Sequence, residues 1–152
     1  MDTNQFKLAG KYFQACASVE AACGNLKNRL AAAKEEVKTE VKSEAQRKTL
    51  VEATKTLDKA VGTALSEMKS ALKPSAADVK TMTMEAFKTK CKKMKTAIGA
   101  TNDAGATFFT ALEAAKQTGW VPAGVGVEAC AIYNKNLIES GSAAKIAYNT
   151  LK

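Results

Sequence analysis

Apolar residues recur at steps of three and four along most of this chain, and no other feature restricts its fold as strongly. These steps keep the side chains on one face of an α-helix, which can then pack against similar faces. The first stripe runs from Ala9 to Val37 and predicts one helix over residues 4 to 38. With only two prolines and nine glycines, the 152 residues carry too few turn signals for a many-stranded sheet. The sequence therefore predicts an all-α fold.

A capping signal and a proline place the second helix. Ser43, with Gln46 three residues later, fits a capping box and predicts a helix start; one continuous bent helix is the alternative. The stripe that follows reaches Leu72 and stops at Lys73-Pro74, because proline disfavours helical geometry in the residue before it.

The second half of the chain is predicted to hold three more helices. Ser75 is expected to cap a helix that Gly99 ends, and residues 102–118 are expected to form a short fourth helix. Residues 119–126 form the one clear loop, and a last helix follows it. The whole chain, residues 1–152, is thus predicted to be a single domain, an antiparallel bundle of four to five amphipathic helices.

Four cysteines lie on these predicted helices. An even number favours disulfides in an exported chain, whereas reduced cysteines would serve as small core residues. Cys16 and Cys23 share one stripe, about 10.5 Å apart along the helix, which exceeds the roughly 4.4–6.8 Å between the α-carbons of a disulfide. Each must therefore reach another helix. Heights along parallel first and third helices predict two inter-helix disulfides, Cys23–Cys91 and Cys16–Cys130.

The chain shows no pattern for a membrane span or an export leader. No stretch approaches the roughly 18 uninterrupted apolar residues of a membrane-spanning helix, so no transmembrane segment is predicted. The first residues lack the basic-then-apolar order of a signal peptide. Paired cysteines nevertheless favour an extracellular, secreted protein whose leader is absent from this chain. The alternative is a cytosolic protein with free thiols.

Several common catalytic groups are missing. The chain has no histidine, the commonest general base and metal ligand, and its cysteines lack the close spacing of zinc sites. Glu35 and Glu36 are adjacent, so they point about 100° apart on a helix and are expected to form a solvated face. Residues 124–129 formally match a dinucleotide-binding glycine fingerprint, but no strand precedes them, so a loop before a helix is expected. We therefore predict no enzyme activity, cofactor or metal.

Basic charge is concentrated in one segment. The chain carries 23 Lys and Arg against 15 Asp and Glu, a net charge of +8. The local maximum contains five lysines, Lys88, Lys90, Lys92, Lys93 and Lys95. They predict a surface for an acidic protein or a sulfated glycan, while the scarcity of arginine disfavours nucleic acid. The alternative is a solvated helix end, whose dipole the lysines offset.

Two further features bear on binding. Five large apolar residues cluster in the third and fourth predicted helices: Met82, Met84, Met94, Phe108 and Phe109. They would line a cavity for a hydrophobic small molecule, although core packing is the commoner explanation. Trp120 is either an exposed anchor for a partner protein or a contact that closes the preceding helix. The sequence thus predicts a secreted, non-catalytic binding protein, or alternatively a carrier of small hydrophobic ligands in the bundle core.

Overall fold

The computed structural model of the protein describes residues 1–71 and 76–151, and this part of the chain contains helices and no strand. The helices are α1 (Thr3–Lys27), α2 (Leu30–Glu40), α3 (Glu44–Ala71), α4 (Ala76–Thr81), α5 (Met84–Gln117) and α6 (Val125–Asn149). The predicted all-α fold is therefore confirmed.

The described helices pack as a four-membered bundle in which α1 and α2 together form the first member. Contacts join α1–α2 to α3, α3 to α5, α5 to α6 and α6 back to α1–α2. Neighbouring members are antiparallel: Lys116 near the end of α5 pairs with Glu128 near the start of α6, and the Tyr148 hydroxyl at the end of α6 donates to the Lys88 carbonyl oxygen. The first and third members, α1–α2 and α5, consequently run parallel on the diagonal.

The predicted helix over residues 4 to 38 is wrong in one respect, because the chain turns between α1 and α2. The Arg29 amide donates to the Leu26 carbonyl oxygen at 2.9 Å. This hydrogen bond to the residue three positions earlier is of the 3₁₀ type and interrupts the α-helical pattern. Beyond the turn, Leu30, Ala33 and Val37 remain buried, since α2 packs on α3 and α6. The apolar stripe therefore continues across a change of helix axis.

The start of α3 confirms the predicted cap. The Ser43 hydroxyl accepts a hydrogen bond from the Gln46 amide at 3.4 Å, and the helix begins at the next residue, Glu44. The predicted boundary at Lys73-Pro74 and the predicted cap at Ser75 lie outside the described residues.

The predicted stop at Gly99 and the separate helix over 102–118 are wrong, because α5 runs without interruption from Met84 to Gln117. The break falls earlier, between α4 and α5, where the Thr83 hydroxyl caps α5 by accepting from the Ala86 amide at 3.1 Å. A glycine inside a helix costs only about 1 kcal/mol, and the buried face of α5 on both sides of Gly99 outweighs this cost. Gly119 does end the helix, with a left-handed φ of 97°.

Aromatic packing near the end of the bundle at which α5 begins and α6 ends connects three helices. Tyr12 of α1 lies edge-on to Phe87 of α5 and Tyr148 of α6, with ring centroids 6.4 and 5.4 Å away. Phe13 packs on Phe87 at 5.3 Å. Around this cluster, the core is filled by aliphatic and small side chains, including Leu26, Leu57, Met68, Leu112 and Leu137.

All four cysteines are free and buried, so the predicted Cys23–Cys91 and Cys16–Cys130 disulfides are absent. Cys16 and Cys91 each lie one turn beyond Tyr12 and Phe87, which places Cys16, not Cys23, level with Cys91. The predicted pairing was wrong because it measured the position of Cys91 along its helix from a start at Ser75. The helix that contains Cys91, α5, begins nine residues later, at Met84. As predicted, Cys16 and Cys23 share one helix.

The cysteines behave as small apolar core residues. Burial raises the pKa of Cys16, Cys23 and Cys130 to about 12 and that of Cys91 to about 11. Protonated thiols of this kind are poor nucleophiles and poor metal ligands. Because secretion was inferred from paired cysteines, the free thiols remove that argument, and the location of the protein stays a prediction.

We expect four thiols to react with an aromatic disulfide reagent when the protein is denatured without reductant. In the folded protein the same reaction should be slow, because every cysteine is buried and protonated. Absorbance of the released thiol measures both quantities. A denatured count of zero or two would show that the cysteines are oxidised.

Candidate functional site

The lysine-rich segment lies in the first third of α5, far from its end at Gln117. A lysine offsets the helix dipole only within the last turn. Lys88 and Lys95 are therefore not end-capping residues, and the interpretation of the segment as a solvated helix end does not apply.

The structure divides the five lysines between two flanks of α5. The Nζ atoms of Lys88 and Lys95 lie 6.0 and 4.5 Å from the centroid of the Tyr148 ring, on the side of α6. Lys92 lies between them on the same face, four residues after one and three before the other. At about 100° per residue, Lys90 and Lys93 point to the opposite flank. We call Lys88, Lys92 and Lys95 the lysine row.

The charges of the lysine row are not neutralised by neighbouring acids. Within the described part of the chain, the ion pairs involve other lysines, namely Lys27, Lys38, Lys55 and Lys116. Lys92 and Lys95 are exposed and Lys88 is half-buried. Unpaired cations on one helix face give a local positive potential that attracts anions.

A cleft of about 280 Å³ opens between α5 and α6 beside the lysine row. Lys95 lies on its rim, together with Lys145 of α6 and Asp103. Ile98 and Ala144 contribute apolar walls. No local pattern in the sequence marks Lys145, because only the antiparallel packing of α6 on α5 brings it beside Lys95.

Tyr12 and Asn102 line this cleft, but their polar atoms are themselves buried. The Asn102 carbonyl oxygen has no hydrogen-bond partner among the described residues, and Tyr12 is only 1% exposed. Burial, together with the neighbouring Cys16 thiol, raises the pKa of Tyr12 far above its ordinary value. The hydroxyl therefore keeps its proton at neutral pH.

A second opening, of about 380 Å³, lies farther along the same α5–α6 seam. Phe109 is 56% exposed and forms one wall of this groove with Leu112 and Ile138. Asn134 is buried and lines the groove; its amide nitrogen donates to the Gly105 carbonyl oxygen at 2.9 Å, while its own carbonyl oxygen has no described partner.

The predicted methionine-lined cavity is not formed as expected. Met84, Met94 and Phe108 are buried in the core, and Met82 is half-buried against it. Phe108 and Phe109 alone of that predicted set line the groove on the α5–α6 seam. The apolar opening therefore lies at the surface and not in the bundle centre.

Trp120 is held in place by α2. Its indole N–H donates to the Glu40 carboxylate at 3.3 Å, and the same oxygen accepts from the Ala123 amide at 2.9 Å. The indole also packs on the core. These contacts favour a structural role for Trp120 at the end of α5, because an indole that is bound to Glu40 and packed on the core is not a free anchor for a partner protein.

Glu36 corrects the prediction that Glu35 and Glu36 form a solvated face. The Glu36 carboxylate accepts from the Val127 amide at 2.7 Å and so caps α6, whose own N-cap residue, Gly124, offers no side chain. A side chain at Gly126 would lie 3.3 Å from the Ala33 amide nitrogen, so the glycine permits the close approach. A carboxylate thus occupies the helix start where a dinucleotide phosphate would bind.

Comparisons with known proteins find no match to this chain among protein families, curated proteins or solved structures. Over residues 1–71 and 76–151, no helix combines the length and apolar character needed to cross a bilayer. The same residues contain no cluster of three or more cysteine, aspartate or glutamate side chains suited to a metal ion.

We expect Glu36→Ala to lower the free energy of unfolding by about 1–2 kcal/mol, because it removes a charged cap from α6. Glu35→Ala is the matched control: Glu35 is exposed and pairs only with Lys38 at 3.6 Å on the same helix, so its loss should cost under about 0.5 kcal/mol. Urea unfolding followed by circular dichroism measures both. Equal effects would contradict the assigned role of Glu36.

Proposed function

We propose that this protein is a non-catalytic binding protein that engages a polyanionic partner through the lysine row on α5. The observation that carries the proposal is the position of Lys88, Lys92 and Lys95 within a continuous helix, with no acidic partner among the described residues. Three unpaired charges on one face repel one another and contribute nothing to capping. An anionic partner would relieve that repulsion.

The shape of the lysine row favours an extended partner. Lys88 and Lys95 are seven residues apart, so their α-carbons span about 10 Å along the helix axis. Lysine presents a compact point charge, whereas bidentate phosphate recognition uses arginine. A sulfated glycan, which carries repeated anions along a chain, is therefore the preferred partner, and an acidic protein surface is the alternative. The predicted extracellular location belongs to this proposal, because a sulfated glycan would be met outside the cell.

Substitution of the lysine row tests the proposal. We expect the triple variant Lys88→Gln, Lys92→Gln, Lys95→Gln to bind a heparin-type polysaccharide roughly tenfold more weakly, since each exposed charge pair contributes about 0.5 kcal/mol. Binding by the unchanged protein should also weaken as salt rises. Isothermal titration calorimetry at several salt concentrations measures both effects.

A matched variant controls for net charge. Lys48→Gln, Lys59→Gln, Lys69→Gln removes three exposed lysines from α3, and it should retain most of the affinity. If both variants lose the same affinity for the polysaccharide, the interaction depends on net charge and not on the lysine row, which would contradict the proposal. Binding to polyglutamate but not to the polysaccharide would favour the acidic protein surface, and a flat salt response would contradict the proposal for both partners.

A second candidate function is the carriage of small hydrophobic ligands, favoured by the groove beside Phe109. Its apolar walls, interrupted by a few polar residues, are typical of ligand pockets. The charged residues that line the groove are two acids, Glu113 and Glu139, and two lysines, Lys116 and Lys135, so their formal charges cancel. The groove therefore suits a neutral ligand.

We expect 1-aminoanthracene, a neutral fluorescent amine, to gain fluorescence on binding, and Phe109→Ser to weaken its affinity roughly tenfold by removing an apolar wall. Ile132→Ser is the control, because Ile132 is 62% exposed on α6 and does not line the groove. Fluorescence titration gives the dissociation constants. No saturable binding, or equal losses in the two variants, would exclude the groove as a ligand site.

A further inference from the structure

We propose that the outward face of α6 is a dimer interface, on which the α6 helix of a second copy of this chain packs in antiparallel orientation. Val125 of each copy then lies against Ile146 of the other copy, and the two Asn136 side chains meet at the centre. This inference does not rest on polyanion binding, because the lysine row lies on a different helix.

The outward face of α6 carries large apolar side chains that the bundle leaves uncovered. α6 buries Val127 and Leu137 against its own bundle, and at about 100° per residue Ile132 lies on the opposite side of the helix. Val125, Ile132 and Ile146 are 78%, 62% and 66% exposed. Three of the five large hydrophobic side chains that are exposed in the described part of the chain therefore share one face of one helix. Contiguous exposed apolar surface marks an interaction site, whereas singly scattered residues do not.

This face has the residue spacing of a two-stranded coiled coil. Its members alternate steps of four and three residues over three heptads, which keeps them toward a partner helix that crosses at about +20°. All of them are exposed except Ala129, which is half-buried. We call this set the α6 stripe: Val125, Ala129, Ile132, Asn136, Glu139, Ala143 and Ile146.

The α6 stripe is nearly symmetric about Asn136, and this symmetry selects a second copy in antiparallel orientation. Ala129 and Ala143 lie seven residues to either side of Asn136, and the aliphatic ends, Val125 and Ile146, lie at almost equal distances beyond them. In an antiparallel pair small residues therefore meet small ones and large residues meet large ones. The two Asn136 amides offer each other a donor and an acceptor, and a single asparagine of this kind fixes the register of a coiled coil.

The charges of α6 favour the same occupant. Lys135 and Glu139 form no ion pair among the described residues. In the antiparallel pair, Glu139 of one copy lies about 4 Å along the axis from Lys135 of the other copy, so the two can pair. A parallel pair would instead set the two Glu139 carboxylates against each other. Glu128 and Glu139 balance Lys135 and Lys145, so α6 is neutral in a chain of net charge +8, and two copies repel least across this helix.

Sedimentation equilibrium on the full chain tests the interface. The α6 stripe is about 32 Å long and one helix wide, so we expect a weak dimer with a dissociation constant on the order of 10–100 µM. Ile132→Glu should raise this constant roughly a hundredfold, because a symmetric contact receives the added charge twice. Ala106→Glu is the matched control, since it adds the same charge at an exposed site of α5 beside Thr49 of α3. It should leave the constant unchanged, and circular dichroism checks that both variants are folded.

Cysteine cross-linking under a mild oxidant tests the orientation. Asn136→Cys should form a disulfide with its own copy, because the two residues face each other across the two-fold axis. Val125→Cys and Ile146→Cys should cross-link when the two variants are mixed, and neither should cross-link alone. The four native cysteines are buried and should not take part. Electrophoresis without reductant measures the products.

A protein that stays monomeric up to about 1 mM would overturn the proposal, since its dissociation constant would exceed the expected range. Equal weakening by Ile132→Glu and Ala106→Glu would place the contact elsewhere and would also overturn it. Self-cross-linking of Val125→Cys would indicate a parallel pair and contradict the assigned orientation. Because the lysine row is intact in every variant used here, failure of this test is distinguishable from failure of polyanion binding.

Discussion

The packing of Tyr12 against Phe87 and Tyr148 is the contact on which the register of the bundle depends. It joins α1, α5 and α6 at one level through edge-on ring contacts, each of which contributes about 0.5–1.5 kcal/mol beyond the burial of area. Two consequences follow along the helices. Cys16 and Cys91 reach the same height one turn away, and the ring of Tyr148 lies beneath the ammonium groups of Lys88 and Lys95. This aromatic contact therefore positions the basic surface.

The seam between α5 and α6 is shaped by reciprocal contacts between asparagine and glycine. Asn134 of α6 lies against Gly105 of α5, and Asn102 of α5 lies against Gly141 of α6, so closely that a side chain at either glycine would collide with the amide. Small residues let two helices approach, and the larger side chains beyond them hold the helices apart. The cleft lined by Tyr12 and the groove lined by Phe109 lie beside these two close contacts, since Asn102 and Gly141 also line the cleft and Asn134 also lines the groove.

The sequence predicts what depends on local chemistry. Apolar spacing identifies the buried faces of α1, α3 and α6, the hydroxyl of Ser43 marks the start of α3, and Gly119 marks the end of α5. Each of these signals lies within a few residues of the feature that it determines.

What the sequence could not predict depends on contacts between helices. Gly99 has the local character of a stop, but packing on both sides keeps it inside α5. The turn at Arg29 carries no glycine or proline, and beyond it α2 packs on α3 and α6. Lys145 joins Lys95 only across a helix interface, and Glu36 acts as a cap only because Gly126 lets α6 approach α2. The pattern of residues along the sequence does not contain the distances between residues of different helices.

The distribution of unpartnered polar atoms separates the seam from the rest of the bundle. Of the buried side-chain atoms without partners in the described residues, three lie along α5–α6 and its floor, on Tyr12, Asn102 and Asn134. A buried acceptor without a partner costs about 1–3 kcal/mol. At Asn134, the hydrogen bond from the amide nitrogen to the Gly105 carbonyl oxygen offsets part of this cost. The two asparagines also set the distance between α5 and α6 by packing on Gly105 and Gly141, so polar contacts hold the seam together with apolar burial.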